Sequence, residues 1–260
     1  MKKHFLIAFF LLITAGAQSQ VLIALLLGDK LNTGKIEFGL DGGMNFSSIA
    51  NLENKYYIRA FNLGFYFDIK LKDHFLLNTG VLVKSTLGSD DLSTNDLLLL
   101  GATIHEPAGG QYSQKLNSFV VPIMAKYVFD NNIHVEIGPQ VGWTYNGWIE
   151  YNYDVDGVEG KLKENNKDDL NWFEAGVSAG VGYRLLKGLG WTLGVRYYYG
   201  LTNVYKGKSG TTNDALYLKV NIPFGVSDEK KQAITDMKVQ LKTKKEEKKA
   251  ARKAAKENKK

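Results

Sequence analysis

The residues able to do chemistry are few, and their spacing argues against catalysis. Gly176-Val177-Ser178-Ala179-Gly180 matches G-x-S-x-G, a pattern in which a sharp strand-to-helix turn lifts a serine nucleophile out of the sheet. Here the five residues sit inside an unbroken alternating run, Phe173 to Arg184, with no turn to expose the hydroxyl. A nucleophilic serine also needs a base. The four histidines fall in the apolar start (His4), a turn (His74), a loop (His105) and an inward-facing strand position (His134), none spaced to meet a serine. With no cysteine, disulfides and thiolate metal centres are excluded. The stretch Gly147–Asp169 carries Glu150, Asp154, Asp156, Glu159, Glu164, Asp168 and Asp169, carboxylates that a hard cation such as calcium would accept. Their spacing fits no EF-hand loop, and a solvated acidic loop is expected. The sequence thus predicts a protein that is not an enzyme, with no catalytic residue, no cofactor site and no metal site; a lipid-modifying barrel enzyme is the least favoured alternative.

Two other groups carry information. The first is a set of charges recurring on one face of successive alternating segments: Glu37, Asp41, Asp68, Glu136 and Glu174 against Lys70, Lys84, Lys126, Arg184, Arg196 and Lys219. Five acids and six bases on one inward face predict a lumen plugged by an ion-pair network; the alternative is a narrow ion-selective path for small solutes. The second is the run Leu97-Leu98-Leu99-Leu100, followed by Ala102 and Ile104, within a long connection. Four exposed leucines need a partner or must fold back, so this run is the candidate partner-binding surface.

What must position these residues is a set of strands. Alternation at period two recurs eight times. In Ala60–Leu71 the residues Phe61, Leu63, Phe65, Phe67, Ile69 and Leu71 face one way and Ala60, Asn62, Gly64, Tyr66, Asp68 and Lys70 the other. Similar runs start near Ile36, Phe75, Ser118, His134, Phe173, Trp191 and Leu216. The least regular is Phe75–Ser85, where Leu77, Val81 and Val83 oppose Asn78, Gly80 and Lys84. Runs of this length exceed the usual soluble strand of about 5–6 residues and suit a tilted membrane strand of about 9–11. Three connections are tight (Lys72-Asp73-His74, Asp130-Asn131-Asn132 and Leu186-Lys187-Gly188). Four are long (about Ser47–Tyr57, Thr86–Lys115, Gly147–Asp169 and Gly200–Asn213). Strict alternation of short and long predicts an all-β fold: an eight-stranded antiparallel up-and-down transmembrane β-barrel, closed so that no strand edge meets lipid. The apolar faces carry no Asp, Glu, Lys or Arg. Aromatics near the tight turns (Phe67, Phe75, Tyr127, Phe129, Trp191, Phe224) and near the long loops (Phe46, Tyr145, Phe173, Tyr199) predict two interfacial girdles.

The chain ends set the address. Met1-Lys2-Lys3, an apolar run Phe5–Ile13 and Ala15-Gly16-Ala17 form a signal-peptide pattern over residues 1–17. Residues 18–34 are then an N-terminal periplasmic extension, with an apolar Val21–Asp29 stretch. The barrel occupies 35–225. Residues 226–260 form a basic periplasmic tail. From Asp228 onward 13 Lys and Arg stand against 6 Asp and Glu, a net +7, whereas the barrel body is slightly acidic. The overall +6 therefore marks no nucleic-acid-binding face, and no nucleic-acid partner is expected. Ile234, Met237 and Leu241 make one helical stripe in the tail. Its expected partners are a periplasmic protein or an anionic cell-wall polymer; the barrel's is outer-membrane lipid.

The segments Gly34-Lys35-Ile36-Glu37-Phe38-Gly39 with Asn45-Phe46-Ser47, Val121-Pro122-Ile123, Gly138-Pro139-Gln140-Val141-Gly142 and Arg196-Tyr197-Tyr198-Tyr199-Gly200-Leu201-Thr202-Asn203 resemble those of the PorT-like outer-membrane barrels of Bacteroidetes. The resemblance spans Gly34–Phe224. It implies the barrel fold, an outer-membrane location in a Gram-negative cell and, from the family's namesake, an accessory role in type IX protein secretion. It implies no enzyme site. The long basic tail departs from the simplest members.

Overall fold

The computed structural model describes residues 35–53, 56–105 and 110–224, together with helical positions 232, 235–237, 239–240 and 242–247 of the tail. The expected signal peptide, the 18–34 extension, and Ile234 and Leu241 of the tail stripe lie outside the described residues. The strands are β1 (Ile36–Ile49), β2 (Ile58–Lys72), β3 (Phe75–Ser89), β4 (Gln111–Val128), β5 (Ile133–Val155), β6 (Val158–Asn165), β7 (Phe173–Arg184), β8 (Thr192–Gly200) and β9 (Asn213–Pro223). A short helix α1 (Thr94–Leu100) lies between β3 and β4. Every neighbouring pair is antiparallel. β1 pairs with both β2 and β9, and β4 pairs with β5, so eight strands close into a ring in the order β1-β2-β3-β4-β5-β7-β8-β9. The short β6 stands outside the ring, paired to the far half of β5.

Alternation decides which side chains fill the lumen, because successive Cβ atoms point to opposite faces of a strand. In β7 and β8, Val177, Val181, Val195 and Tyr197 are exposed on the outer wall, while Ser178, Arg196 and Tyr198 are buried inside. The turn end of the barrel carries the expected aromatic girdle. Phe38 stacks on Phe67 with ring centroids 4.7 Å apart, and Phe75 and Tyr127 meet edge to face at 4.9 Å. At the loop end Phe119 and Tyr145 lie 4.8 Å apart, and Trp143 meets Phe173 at 6.1 Å.

Two bulges break the period within the wall, and a third shift falls at Lys70–Lys72 beside the β2–β3 turn. In β3 the register steps from Leu82 to Ser85 against β4, leaving an extra residue at Val83-Lys84. Lys84 consequently faces outward, not into the lumen as the alternation predicts. It pairs with Leu63 and rests its ammonium 5.9 Å from the Phe61 ring centroid. In β5 a second bulge falls at Tyr145, where Asn117 opposes Asn146 but Ser118 opposes Thr144. Beyond it the odd-numbered Gly147, Ile149 and Tyr151 turn inward. The segment Gly147–Asp169 is therefore no irregular acidic loop. β5 runs on to Val155, turns back through β6, and with the start of β4 forms a three-stranded sheet that projects beyond the girdle.

The loop end is closed by its own apolar core. Leu52 from the first long connection, Leu92 and Leu97 from the second, Leu170 from the third, and Val204 and Tyr205 from the fourth pack together with Ile49 and Tyr151. Each such side chain contributes about 1.5–3 kcal/mol by leaving water. Helix α1 brings Leu97 to this core. Ser93 caps it, accepting from the Asp96 N–H at 3.0 Å, and the Asp96 carboxylate accepts from the Ser93 N–H at 3.0 Å. Gly101, at φ +70°, ends it in the left-handed conformation that glycine adopts without a Cβ penalty.

Candidate functional site

The inward charges form one connected lattice. Lys126 (β4) pairs with Asp68 (β2) at 2.7 Å, and Asn78 (β3) donates to the same carboxylate at 2.7 Å. Arg196 (β8) donates to the Asn78 oxygen at 2.9 Å and to Glu136 (β5) at 2.7 Å. Lys219 (β9) lies 3.7 Å from Glu136 and 3.5 Å from Asp41 (β1). Seven of the eight ring strands are laced together across the lumen by these contacts, three acids against three bases. Nearer the turn end Arg184 (β7) pairs with Glu37 (β1), whose carboxylate also accepts from the Tyr66 hydroxyl at 2.9 Å. The enclosed space bordered by Asp41, Asn62, Gln140, Arg196 and Lys219 is about 10 Å³. That is no more than about one water needs.

Of the eleven predicted lattice residues, eight are joined in this way: Glu37, Asp41, Asp68, Lys126, Glu136, Arg184, Arg196 and Lys219. Lys84 is outside, as the β3 bulge requires. Lys70 is exposed near the turn end, two residues before β2 ends. Glu174 is buried inside but is held by an amide, accepting from Asn213 at 2.6 Å, rather than by a base. Charge counting missed the neutral links. Asn78 bridges two ion pairs, and the Asn45–Asn62 hydrogen bond (2.9 Å) and the Ser178–Gln140 one (3.0 Å) form a polar layer above them. Their signal in the sequence was only an amide at an inward position.

Ser178 donates to Gln140 from the interior of β7. A Cβ at Gly176 would lie 2.2 Å from the Tyr199 carbonyl oxygen and 2.6 Å from the Tyr198 ring, so this glycine makes room for packing. His134 is buried in the lumen beside Gly182. His74 engages the Val128 carbonyl at 2.8 Å, and His105 stacks on Tyr151 at 5.6 Å. None is within reach of Ser178 by any hydrogen bond the structure contains.

The leucine run divides. Leu97 is fully buried and Leu100 packs on the core, but Leu98 and Leu99 are exposed on the outside of α1, with Ile104 beyond them. Half the run folds back and half faces solvent.

The acids of the projecting sheet have separate partners. Asp154 accepts from the Gly157 N–H at the hairpin turn, and Glu164 accepts from the Thr103 N–H at 2.9 Å. Glu150, which the sequence presents as one carboxylate of a solvated loop, is almost fully buried. It is contacted by Lys115 at 2.5 Å, Lys161 at 3.2 Å, Lys163 at 3.9 Å and the Trp148 indole N–H at 3.2 Å. Burial pushes its pKa up, but the hydrogen bonds from Lys115, Trp148 and Lys161 outweigh that and hold it down at about 2. Among the described residues no three His, Asp or Glu side chains converge as a metal site would.

The ring resembles several solved outer-membrane barrels. The attachment invasion locus protein Ail of Yersinia pestis, solved in complex with the heparin analogue sucrose octasulfate, matches 73% of this chain and 99% of its own at 8% identity, with a TM-score of 0.41. Neisserial surface protein A matches 73% of this chain and 96% of its own at 13% identity, TM-score 0.35. OprG of Pseudomonas aeruginosa matches 73% and 93% at 10% identity, TM-score 0.32. No functionally curated protein matches the sequence significantly. The family model for the outer membrane protein beta-barrel domain matches residues 17–206, most of the ring, and the chain belongs to that family of outer-membrane barrels.

Proposed function

We propose that this protein is a non-conducting, non-enzymatic outer-membrane platform that acts through what it displays at its two ends. The observation that carries the reading is the double closure of the lumen, by the charge lattice and by the apolar core of all four long connections. In this reading the signal peptide is cleaved, both termini lie in the periplasm, and the long connections face outward. Leu98 and Leu99 and the projecting sheet are then the display surface outside; the basic tail serves as the periplasmic contact, toward a periplasmic protein or an anionic cell-wall polymer. An accessory role in protein secretion, of the kind the PorT-like resemblance implies, is the first specialisation of this reading. The sequence motifs from Gly34 to Asn203 support it.

The test is the mass and composition of the particle extracted from the outer membrane in mild detergent, with and without residues 226–260. A larger particle with defined partners, lost with the tail, is the expected result; a bare barrel in both cases overturns the accessory role. Planar-bilayer recording of the purified protein tests the closure separately. It should stay silent, and a large steady conductance would sink the plugged-lumen reading in favour of a small-solute pore.

A further inference from the structure

The projecting sheet has an outward face that no part of the closure uses. Across its three strands, Ser113 and Lys115 of β4 lie beside Trp148, Glu150 and Asn152 of β5, and these beside Lys161, Lys163 and Asn165 of β6. Between Phe119 and Lys115 the extra residues belong to the neighbouring strands β3 and β5, and β4 itself runs on without a bulge. Lys115 therefore continues the lipid-facing side of β4, two same-side steps above Phe119 of the girdle. That is about 13 Å of strand beyond the aromatic band, the level of lipid headgroups rather than of acyl chains.

The charges at that level are arranged for an anion. Three ammonium groups surround one carboxylate, a local net charge of +2. One lysine would suffice to neutralise Glu150; three leave a surplus. Glu150 is itself buried, with 3% of its side chain exposed, whereas Lys161 and Lys163 keep 53% and 56%. The carboxylate thus holds the lysines together from behind while the outer sides of Lys161 and Lys163 stay open and Lys115 keeps 23% of its side chain exposed, so part of the ordering cost of binding is already met. Trp148 adds an amphipathic surface. Its ring lies 5.0 Å from the Lys163 ammonium, and its N–H is turned inward to Glu150. Farther from the membrane the same face turns acidic, with exposed Asp154 and Glu159 opposite each other. An anion is therefore favoured at the membrane side of this sheet and repelled from its tip.

We propose that Lys115, Lys161 and Lys163, gathered around Glu150 beside Trp148, bind the phosphate headgroup of an anionic lipid in the outer leaflet. The site rests on the outward orientation given above for the long connections. Bound lipid would brace the projecting sheet against the membrane and fix the height at which the platform presents itself.

The experiment uses the full chain in phosphatidylcholine nanodiscs containing a minor fraction of bis-phosphorylated lipid A or of its dephosphorylated form, with retained lipid counted by native mass spectrometry. The wild type should retain the phosphorylated form about thirtyfold over the dephosphorylated one, as expected for two net charges near a surface. A neutral variant, Lys115→Gln with Glu150→Gln, Lys161→Gln and Lys163→Gln, leaves no orphaned charge and should lose that preference. Glu150→Gln alone, which raises the local charge to +3, should keep or increase it. Both variants should keep heat-modifiable migration, which confirms the folded ring. Equal retention of the two lipids, or an unchanged preference in the neutral variant, overturns the proposal. Displacement of the lipid by millimolar inorganic phosphate would assign the site to free phosphate and overturn the lipid as its occupant. Nanodiscs present both leaflets, so this result is independent of orientation. Cleavage of the β5–β6 hairpin by external protease on intact cells tests the orientation alone.

Discussion

The floor and the cap of the lumen close the same tube by opposite physics. The floor is a lattice of three acids, three bases and Asn78, held by directional hydrogen bonds and by ion pairs from strands around the lumen. The cap is a nondirectional apolar core assembled from loops, in which Leu52, Leu97, Leu170 and Val204 meet because water excludes them. The floor is an all-or-none structure: buried charges are tolerated only while every partner is present. The cap can lose a member and resettle. Breaking the floor should therefore unfold the ring, and breaking the cap should loosen only the loop end.

The largest effect should come from Arg196→Met, which removes the hydrogen-bonded partner of Glu136, leaving it only Lys219 at 3.7 Å, and takes a donor from Asn78. We expect a loss of about 3–5 kcal/mol in urea unfolding from lipid vesicles. Adding Glu136→Met should restore most of it, since Lys219 still has Asp41 and Lys126 still has Asp68. A single-variant loss below about 1 kcal/mol would mean that the lattice is relaxed by water and that the contrast with the cap is wrong. Leu97→Ala in the cap comes next. It should cost about 2–3 kcal/mol, read as faster hydrogen exchange at Leu92–Ala102 and around Val204, with the urea midpoint of the ring little changed. Equal loss of protection in β7 and β8 would show that the two regions unfold as one.

How legible these regions were in the sequence follows the same divide. The ring and most of the floor are legible because period two survives wherever a strand is regular: β7, β8 and β9 alternate without a fault, and Arg184, Arg196 and Lys219 fall inside as expected. Lys84 fails because a single inserted residue, in the Val83-Lys84 bulge, flips the phase, and nothing in the local composition marks a bulge. The β5–β6 sheet fails for a related reason. The Tyr145 bulge changes which parity faces inward, so Gly147, Ile149 and Tyr151 do not continue the pattern of Trp143 and Tyr145. The cap is illegible because four leucines in a row have no period. Only the capping pair Ser93 and Asp96 and the stop at Gly101 show that a helix sorts Leu97 inward and Leu98 outward. The three-lysine arrangement on Glu150 is set by strand register: Lys115 comes from β4, 35 positions away, and Lys161 and Lys163 come back along β6 across the hairpin.

That capping pair offers the next, smaller effect. Ser93→Ala removes the hydrogen bond to the Asp96 N–H and should cost about 1 kcal/mol, confined to α1 and visible as exchange at Leu97 and Leu98. If exchange at Leu170 and Val204 rose equally, the cap would be one cooperative unit rather than four loops meeting. The projecting sheet adds a pH test. Burial raises the Glu150 pKa, and the hydrogen bonds from Lys115, Trp148 and Lys161 lower it further than burial raises it, to about 2. A depressed carboxylate stabilises the folded sheet above its ordinary pKa, near 4.5, and that contribution is lost as pH falls from there toward about 2. Tryptophan fluorescence of Trp148, read against a Trp148→Phe control, should change over this window. Glu150→Gln should abolish the change, and its persistence in that variant would assign it to another acid.

The smallest effect on stability should come from Leu98→Ser with Leu99→Ser. Both side chains stand on the solvent side of α1, 65% and 47% exposed, so the pair should alter cap stability by no more than about 0.5 kcal/mol. This is the discriminating case for function, because exposed leucines on a helix held rigid by a capping box at one end and Gly101 at the other cost solubility without helping the fold. If the outer surface is where the platform works, this variant should leave urea unfolding and exchange unchanged while changing the mass of the particle extracted in mild detergent. If the leucines instead shelter the cap, exchange at Leu97 and Leu100 should rise and the particle should keep its mass. The two outcomes separate a display surface from a lid.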